Sequence, residues 1–213
     1  MSLWGIIPVK PFSYGKSRLA DRLSVEQRIL LNRSLAENTL TICKSVPAIE
    51  HLLIVSSGRE MHRFAIKCGV EFVEEPKGGI NAALETAAVH AVRNGAGSLL
   101  VLHGDLPSLR KAELEILAHA GSRENSMCIV SDHHKAGTNA LLLNPPDCIP
   151  FLFGEGSYLK HVSAARYRNI EIVNLNLPSI SFDLDTIEDL EFALYREILP
   201  KELLERMHLD GGR

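Results

Sequence analysis

Short runs rich in β-branched and other apolar residues alternate with longer amphipathic runs along the first two-thirds of the chain, at least five times over. That alternation constrains the fold more than any other feature: it is the pattern of a parallel sheet covered by helices. Strand candidates are Leu3 to Val9, His51 to Ser56, Val70 to Glu74, Ser98 to Leu102, Met127 to Ser131 and Ala140 to Asn144, short and mostly free of proline, as buried central strands should be. The helices fall between them. Ser24-Val25-Glu26-Gln27 has the form of a capping box, and Leu31, Leu35, Ile42 and Val46 follow on one helical face until Pro47 closes the run. Further helices are expected at Glu60 to Cys68, Ile80 to Arg93, Ser108 to Ala120 and Thr186 to Ile198, the last opening with Thr186-x-x-Asp189 as a looser cap.

No linker, low-complexity tract or internal repeat divides the 213 residues, which predicts one domain over residues 1–199 and a C-terminal tail over 200–213. In the tail, Leu203, Leu204 and Met207 suit a short helix against the body, and Asp210-Gly211-Gly212-Arg213 a frayed end. Apolar residues, at 46%, supply a sizeable core, and 23 Lys+Arg against 26 Asp+Glu leave a net charge of -3, without the basic excess of a nucleic-acid binder. An anionic ligand must therefore be met by local cations. The longest apolar stretch, Leu99 to Leu102, falls far short of the ~20 residues of a membrane span, and Met1 to Gly5 carries no charged signal-peptide start, so a cytoplasmic protein is expected. Cys43, Cys68, Cys128 and Cys148 stand far apart without a C-x-x-C pair, as buried reduced thiols do, rather than zinc ligands or disulfide partners.

In an open parallel sheet, ligands bind beyond the carboxyl ends of the strands. After the first strand comes Pro8-Val9-Lys10-Pro11-Phe12-Ser13-Tyr14-Gly15-Lys16-Ser17-Arg18-Leu19, a turn-rich loop with three cations. It can wrap a polyphosphate with backbone N–H groups while Lys16 and Arg18 supply charge, or it can be a solvated basic loop. It is not a Walker loop, because no glycine stands five residues before Gly15. After the fourth strand comes His103-Gly104-Asp105-Leu106-Pro107, with Asp105 placed either to ligate a metal or to close an Asx turn, and Ser108 free to cap the next helix. In Phe182-Asp183-Leu184-Asp185-Thr186, both carboxylates project to one side if the segment is extended, whereas Asp185 can also belong to the first turn of the following helix. Three carboxylates beside a cationic loop are what Mg²⁺-assisted nucleotidyl transfer needs.

Taken in order, Pro8-Val9-Lys10 with Gly15-Lys16-Ser17-Arg18-Leu19, Gly104-Asp105-Leu106-Pro107, Gly137-Thr138-Asn139-Ala140, Phe153-Gly154-Glu155-Gly156-Ser157 and Asp183-Leu184-Asp185-Thr186-x-x-Asp189-Leu190 resemble the 2-phospho-L-lactate guanylyltransferase family, over about residues 3–198. The resemblance implies an α/β fold: a single-domain, Rossmann-like nucleotidyltransferase, with a mostly parallel sheet flanked by helices as in glycosyltransferases of the A type. It implies transfer of GMP from GTP to a phosphorylated three-carbon acid (2-phospho-L-lactate, phosphoenolpyruvate or 3-phospho-D-glycerate), with release of pyrophosphate, in the biosynthesis of the deazaflavin coenzyme F-420; the alternatives are a related nucleotidyltransferase using another nucleotide or sugar phosphate, and a non-catalytic nucleotide-binding module. It further implies that Asp105, Asp183 and Asp185 hold Mg²⁺, that Lys16, Thr138, Gly154 and Ser157 contact the acid, and that Pro8, Val9, Lys10, Gly78, Gly79 and Asn81 lie at the nucleotide, with Lys16, Arg18 and Asp105 serving catalysis. Read from their residue types alone, Thr138 is a strand-edge threonine and Ser157 a helix N-cap. Within the family pattern, His103-Gly104 stands where an alanine directly before Asp105 is expected. A downstream transferase that takes over the product is an expected partner, and an apolar helix face leaves a homodimer open.

His133-His134 looks like a metal pair, but neighbours on an extended strand end point to opposite faces, so a solvated loop is expected. His51, His90, His119, His161 and His208 are scattered singly, with no serine or cysteine nucleophile paired to any of them. Trp4 suits the core or an interface, and Tyr14 the neighbourhood of the nucleotide.

Overall fold

The computed structural model describes residues 2–209. Its strands are β1 (Ser2–Pro8), β2 (Ile49–Ser56), β3 (Glu71–Glu74), β4 (Ala96–Leu102), β5 (Ser126–Ser131), β6 (Thr138–Asn144) and β7 (Glu171–Asn174), joined in one sheet in the order β3-β2-β1-β4-β6-β5-β7. Its helices are α1 (Val25–Lys44), α2 (Arg59–Cys68), α3 (Gly79–Arg93), α4 (Lys111–Ala120), α5 (Ser157–Tyr167), α6 (Pro178–Ser181), α7 (Ile187–Tyr195) and α8 (Lys201–Arg206). Consecutive strand residues alternate between the two sheet faces. Ile7, Ile54, Leu100 and Leu142 pack with α1, α2 and α4, while Ile6, Leu53, Leu99 and Leu141 pack with α3 and α5. Both faces of β4 and β6 are thus covered, which is why these strands read as continuous apolar runs.

The sheet is mostly parallel, as expected, with β6 the exception, running antiparallel to both β4 and β5. Only residues 132–137 separate β5 from β6, too few for a crossover, so the chain turns back as a hairpin and β6 inserts between β4 and β5. Val130 pairs with Ala140 and Ser131 with Thr138, which leaves Asn139 as the extra residue of a bulge.

Other elements shift at their ends. Helix α4 begins at Lys111 instead of Ser108, and Ser108 caps nothing: its hydroxyl donates to Ser179 O at 3.4 Å, and Arg110 N–H donates to Ser179 Oγ at 3.1 Å. Helix α7 stops at Tyr195 rather than Ile198, where Glu197 turns left-handed. Helix α5 is marked in the sequence only by Ser157 as a cap, and the four-residue edge strand β7 and the one-turn α6 not at all: α5 has no side-chain cap, and β7 has no buried residue to mark it. Both expected capping boxes form, Ser24 with Gln27 and Thr186 with Asp189.

A third apolar cluster positions the site. Leu19 and Leu23, just past the loop after β1, pack with Leu31 and Leu35 of α1, with Leu184, and with Leu190, Leu203 and Met207 of the C-terminal helices. The expected tail helix is therefore α8, docked through Leu203 and Met207; residues 210–213, expected to fray, lie outside the described residues. Trp4 is buried and stacks on His51 with ring centroids 4.2 Å apart. All four cysteines are free, and burial pushes the Cys43 thiol up to about 12.

Candidate active site

The loop after β1 turns back through two short 3-10 segments, Phe12–Tyr14 and Ser17–Leu19, with Lys16 between them in the left-handed region (φ 56°). Asn32 on α1 holds this turn by donating to Phe12 O at 3.1 Å. The turn sends the Lys16 side chain, only 4% exposed, across the carboxyl edge of the sheet. There its ammonium donates to Asp105 Oδ2 at 2.5 Å and to Asp185 Oδ1 at 2.9 Å. Burial alone would push the Lys16 pKa down, but the charges of Asp105 and Asp185 outweigh it and hold it above the ordinary value.

The two acidic segments are tied together by the Leu184 N–H, which donates to Asp105 O at 3.3 Å. Buried Leu184 turns into the third apolar cluster between them, in the connection from α6 to α7, and the Asp183 and Asp185 carboxylates lie close enough for each other's charge to be felt. Asp185 does not cap α7. Thr186 and Asp189 form the capping box, the Asp185 N–H is taken by Asp189 Oδ2 at 3.0 Å, and its carboxylate is left for Lys16. Nor does Asp105 close an Asx turn: one carboxylate oxygen faces Lys16 and the other, Oδ1, is buried without a partner. Burial opposes ionisation of Asp105, yet Lys16 and His103 hold its pKa below the usual carboxylate value. Asp183 goes the other way, raised by burial and then by repulsion from Asp105 and Asp185. An orphaned carboxylate oxygen, a carboxyl group raised by its acidic neighbours and an ammonium bridging two carboxylates all mark a place where positive charge is lacking. Asp105, Asp183 and Asp185 offer the oxygen donors a hard divalent cation takes, although among the described residues the ligand atoms that converge within 4.8 Å of one another are those of His133, His134 and Asp189.

A cleft of about 630 Å³ opens above these groups. Pro8, Val9, Lys10, Lys16 and Arg18 line one wall; Gly79, Asp105 and Asp185 line the rest, together with His103, whose Nε2 is buried and unpartnered. Tyr14 stands at the rim, 77% exposed. Gly78 (φ 137°) and Gly79 (φ 78°) make the turn into α3 in conformations other residues rarely adopt, and at Gly79 the space a Cβ would fill is open.

The other expected site residues sit beside this cleft rather than on its wall. Both ends of the Asn81 amide engage Phe153: Nδ2 donates to its carbonyl at 3.1 Å and Oδ1 accepts from its N–H at 2.8 Å. Asn81 therefore joins the start of α3 to the Phe153–Gly154 loop instead of pointing at a base. Thr138 and Ser157 are buried and bonded to each other, Ser157 Oγ donating to Thr138 Oγ1 at 3.2 Å. Ser157 caps no helix, since Gly156 holds the N-cap position of α5. Gly154 (φ 118°) turns the loop before it, again with open space where a Cβ would stand.

Sequence reasoning missed Asn139, the bulge residue, whose amide donates to Asp183 Oδ1 at 3.2 Å and to the carbonyls of Ile180 and Ser181. His133 and His134 stand exposed in a loop, as expected, but residues 132–137 are a turn rather than an extended end, so the two rings lie tilted 3.8 Å apart instead of diverging and, with Asp189, bring their ligand atoms within 4.8 Å of one another. His133 reaches Asp183 (3.6 Å) and Asp189 (3.4 Å), a proximity that only the folding of the β5–β6 hairpin over the start of α7 creates.

Known proteins resemble this chain in sequence and in fold. Residues 3–208 match the family described as "Guanylyl transferase CofC like". The chain belongs to this family. Among its similar relatives is a phosphoenolpyruvate guanylyltransferase of Sphaerobacter thermophilus, 35% identical over 191 residues, covering 90% of this chain and 92% of the relative. A 3-phospho-D-glycerate guanylyltransferase of Colwellia psychrerythraea is 33% identical over 201 residues, with 93% and 94% covered. Among solved structures, 4-diphosphocytidyl-2C-methyl-D-erythritol synthase superposes with a TM-score of 0.66 at 12% identity, covering 93% of this chain and 99% of the other. The CofC-like chain thus has the α/β nucleotidyltransferase fold, and it is a guanylyltransferase by family. Among its described residues, no helix is long and apolar enough to cross a membrane.

Proposed function

We propose that the protein transfers GMP from GTP to a phosphorylated three-carbon acid, phosphoenolpyruvate or 3-phospho-D-glycerate, releasing pyrophosphate, in the biosynthesis of coenzyme F-420 in the cytoplasm. The observation that carries this reading is the Lys16 ammonium set between Asp105 and Asp185 at the floor of a cleft whose wall bears Lys10 and Arg18. A triphosphate needs clustered cations, and its transfer needs carboxylates for a metal beside them.

Asp105, Asp183 and Asp185 would hold Mg²⁺, which when bound offsets the charge on the phosphate oxygens between donor and acceptor. Lys10, Lys16 and Arg18 neutralise the triphosphate and the departing pyrophosphate. Pro8, Val9 and the Gly78–Gly79 turn offer backbone to the nucleoside, where a side chain would obstruct it. Thr138 and Ser157 supply hydroxyls, and the Gly154 turn supplies backbone, to the acid's anionic oxygens. A phosphate oxygen of the acid attacks the α-phosphorus of GTP, the bond from that phosphorus to the bridging α–β oxygen breaks, and its electron pair leaves with pyrophosphate. No covalent protein intermediate is needed.

The test is incubation of the protein with Mg²⁺, GTP and each of 2-phospho-L-lactate, phosphoenolpyruvate and 3-phospho-D-glycerate separately, following pyrophosphate release and the mass of the adduct. Release with a guanylated adduct of one acid is the expected result. GTP binding without an adduct from any of the three would overturn the reading.

A further inference from the structure

His161 is a fully buried polar side chain that the transfer just described does not use. It stands one helical turn after Ser157 on α5, so the two side chains share a face and meet the start of β6 together. The Leu152 N–H donates to its Nε2 at 2.9 Å, and that bond decides the tautomer: an accepting Nε2 carries no hydrogen, so the neutral ring carries it on Nδ1. Burial pushes the His161 pKa down to about 4, which keeps the ring neutral near pH 7. Its Nδ1 lies 3.1 Å from Thr138 Oγ1, and the imidazole therefore donates there.

Ser157 Oγ donates to the same threonine oxygen at 3.2 Å. Both lone pairs of Thr138 Oγ1 are then occupied, and the hydrogen of its own hydroxyl has no partner within the group. Were the Thr138–Ser157 bond reversed, Ser157 would hold the unused hydrogen instead. In either polarity the imidazole leaves the pair with one O–H to spare.

We infer that His161 is a positioning residue for the acid: by donating to Thr138, it obliges the Thr138–Ser157 pair to offer a ligand a hydrogen rather than a lone pair. The subsite thereby selects an anionic oxygen, such as that of a phosphate or carboxylate, over a group that donates. This inference rests on the reading that Thr138 and Ser157 meet the acid. The same ring also ties the Leu152 backbone to β6 and packs edge-on against Phe153, with centroids 4.9 Å apart, directly before Gly154.

Steady-state kinetics with the full chain, Mg²⁺, GTP and phosphoenolpyruvate or 3-phospho-D-glycerate tests it. His161→Gln can still accept from Leu152 but places no donor at Thr138, whereas His161→Asn puts an amide N–H where Nδ1 was. His161→Gln should raise the KM for the acid about ten- to a hundredfold, the worth of a hydrogen bond that controls a charged ligand, with the KM for GTP changed by less than about twofold. His161→Asn should recover most of the loss, and Thr138→Val combined with His161→Gln should be no worse than Thr138→Val alone. Equal rises in both KM values, additive effects, or nitrogen NMR of the wild-type ring showing its hydrogen on Nε2 would overturn the inference, and the last needs no variant to fold. Thr138→Val with an unchanged acid KM would overturn the underlying assignment of the acid subsite and the inference with it; a Thr138→Val defect without a His161→Gln defect would overturn the inference alone.

Discussion

Lys16→Met is the substitution that separates the electrostatic reading of the site from a purely structural one. The methionine keeps most of the stem that crosses the cleft floor and removes only the ammonium, which lies 2.5 Å from Asp105 Oδ2 and 2.9 Å from Asp185 Oδ1. At an effective dielectric of about 20, two unit charges about 3 Å apart attract by about 5–6 kcal/mol, and desolvating both partners offsets much of this. Removing one partner of a fully buried pair costs about 3–5 kcal/mol. Here the carboxylates are 28% and 48% exposed, so water takes up part of the loss. A net cost of about 2–3 kcal/mol follows, or roughly 5–10 °C in melting temperature for a chain of this size. The loss should be specific to the metal-free protein. Without the ammonium, Asp105, Asp183 and Asp185 face one another uncompensated, so the variant should bind Mg²⁺ or Mn²⁺ more tightly than the wild type and regain its stability on doing so. Thermal denaturation in chelator and in excess Mg²⁺, with Mn²⁺ binding followed by electron paramagnetic resonance, measures both effects. A variant as stable as the wild type in chelator, or one with unchanged metal affinity, would refute the idea that Lys16 stands in for missing cationic charge.

Three further outcomes are expected. Asp105→Asn keeps the shape of the side chain but removes its charge, and should lower pyrophosphate release at least about a thousandfold while circular dichroism stays that of the wild type. Asn81→Ala frees both the N–H and the carbonyl of Phe153 and should cost about 1–3 kcal/mol in denaturant unfolding, with the KM for the acid raised although Asn81 belongs to α3 on the nucleotide side. His161 contributes a pH dependence of fixed sign. Its folded pKa, about 4, lies below the ordinary 6.5, so the unfolded chain binds the proton first as pH falls, and stability present above about 6.5 is lost by up to about 3 kcal/mol as pH drops through 4. Denaturation midpoints between pH 4 and 7 should show this slope in the wild type, and it should be absent from His161→Asn.

What the sequence reveals of the site is what local geometry dictates. Asp105, Asp183 and Asp185 follow strands or alternate with buried Leu184, and Lys16 lies in the turn that a glycine- and proline-rich segment must make, so short-range rules bring each to the carboxyl edge. Their meeting depends on the third apolar cluster, and its members Leu19, Leu184 and Leu190 are distant in sequence and carry no mark of mutual contact. Side chains that serve the chain's own backbone are least legible. The amide of Asn81 carries nothing to say that Phe153 will occupy it, and a lone His161 in a helix looks like any core histidine until Leu152 N–H and Thr138 are seen on its two nitrogens. At His133 and His134 the exposed loop is legible but the approach of the two rings is not, because period-2 alternation does not hold in a six-residue hairpin turn.

The reversal of β6 decides which of its residues reach the carboxyl edge of the sheet. In a sheet of parallel strands, only residues that follow a strand reach the carboxyl edge. Because β6 runs the other way, its first residues arrive there instead, with Ala140 opposite Leu102 and Thr138 opposite Ser131. A parallel β6 would carry Thr138 and Asn139 to the far edge, about 20 Å away at some 3.3 Å per residue. The bulge at Asn139 completes the effect, since it lets Thr138 meet Ser157 and His161 while Asn139 turns to Asp183. Neighbouring residues of one strand thus reach Ser157 and His161 on one side and the Asp183 carboxylate on the other, and the short β5–β6 connection that forces the reversal is what makes this possible.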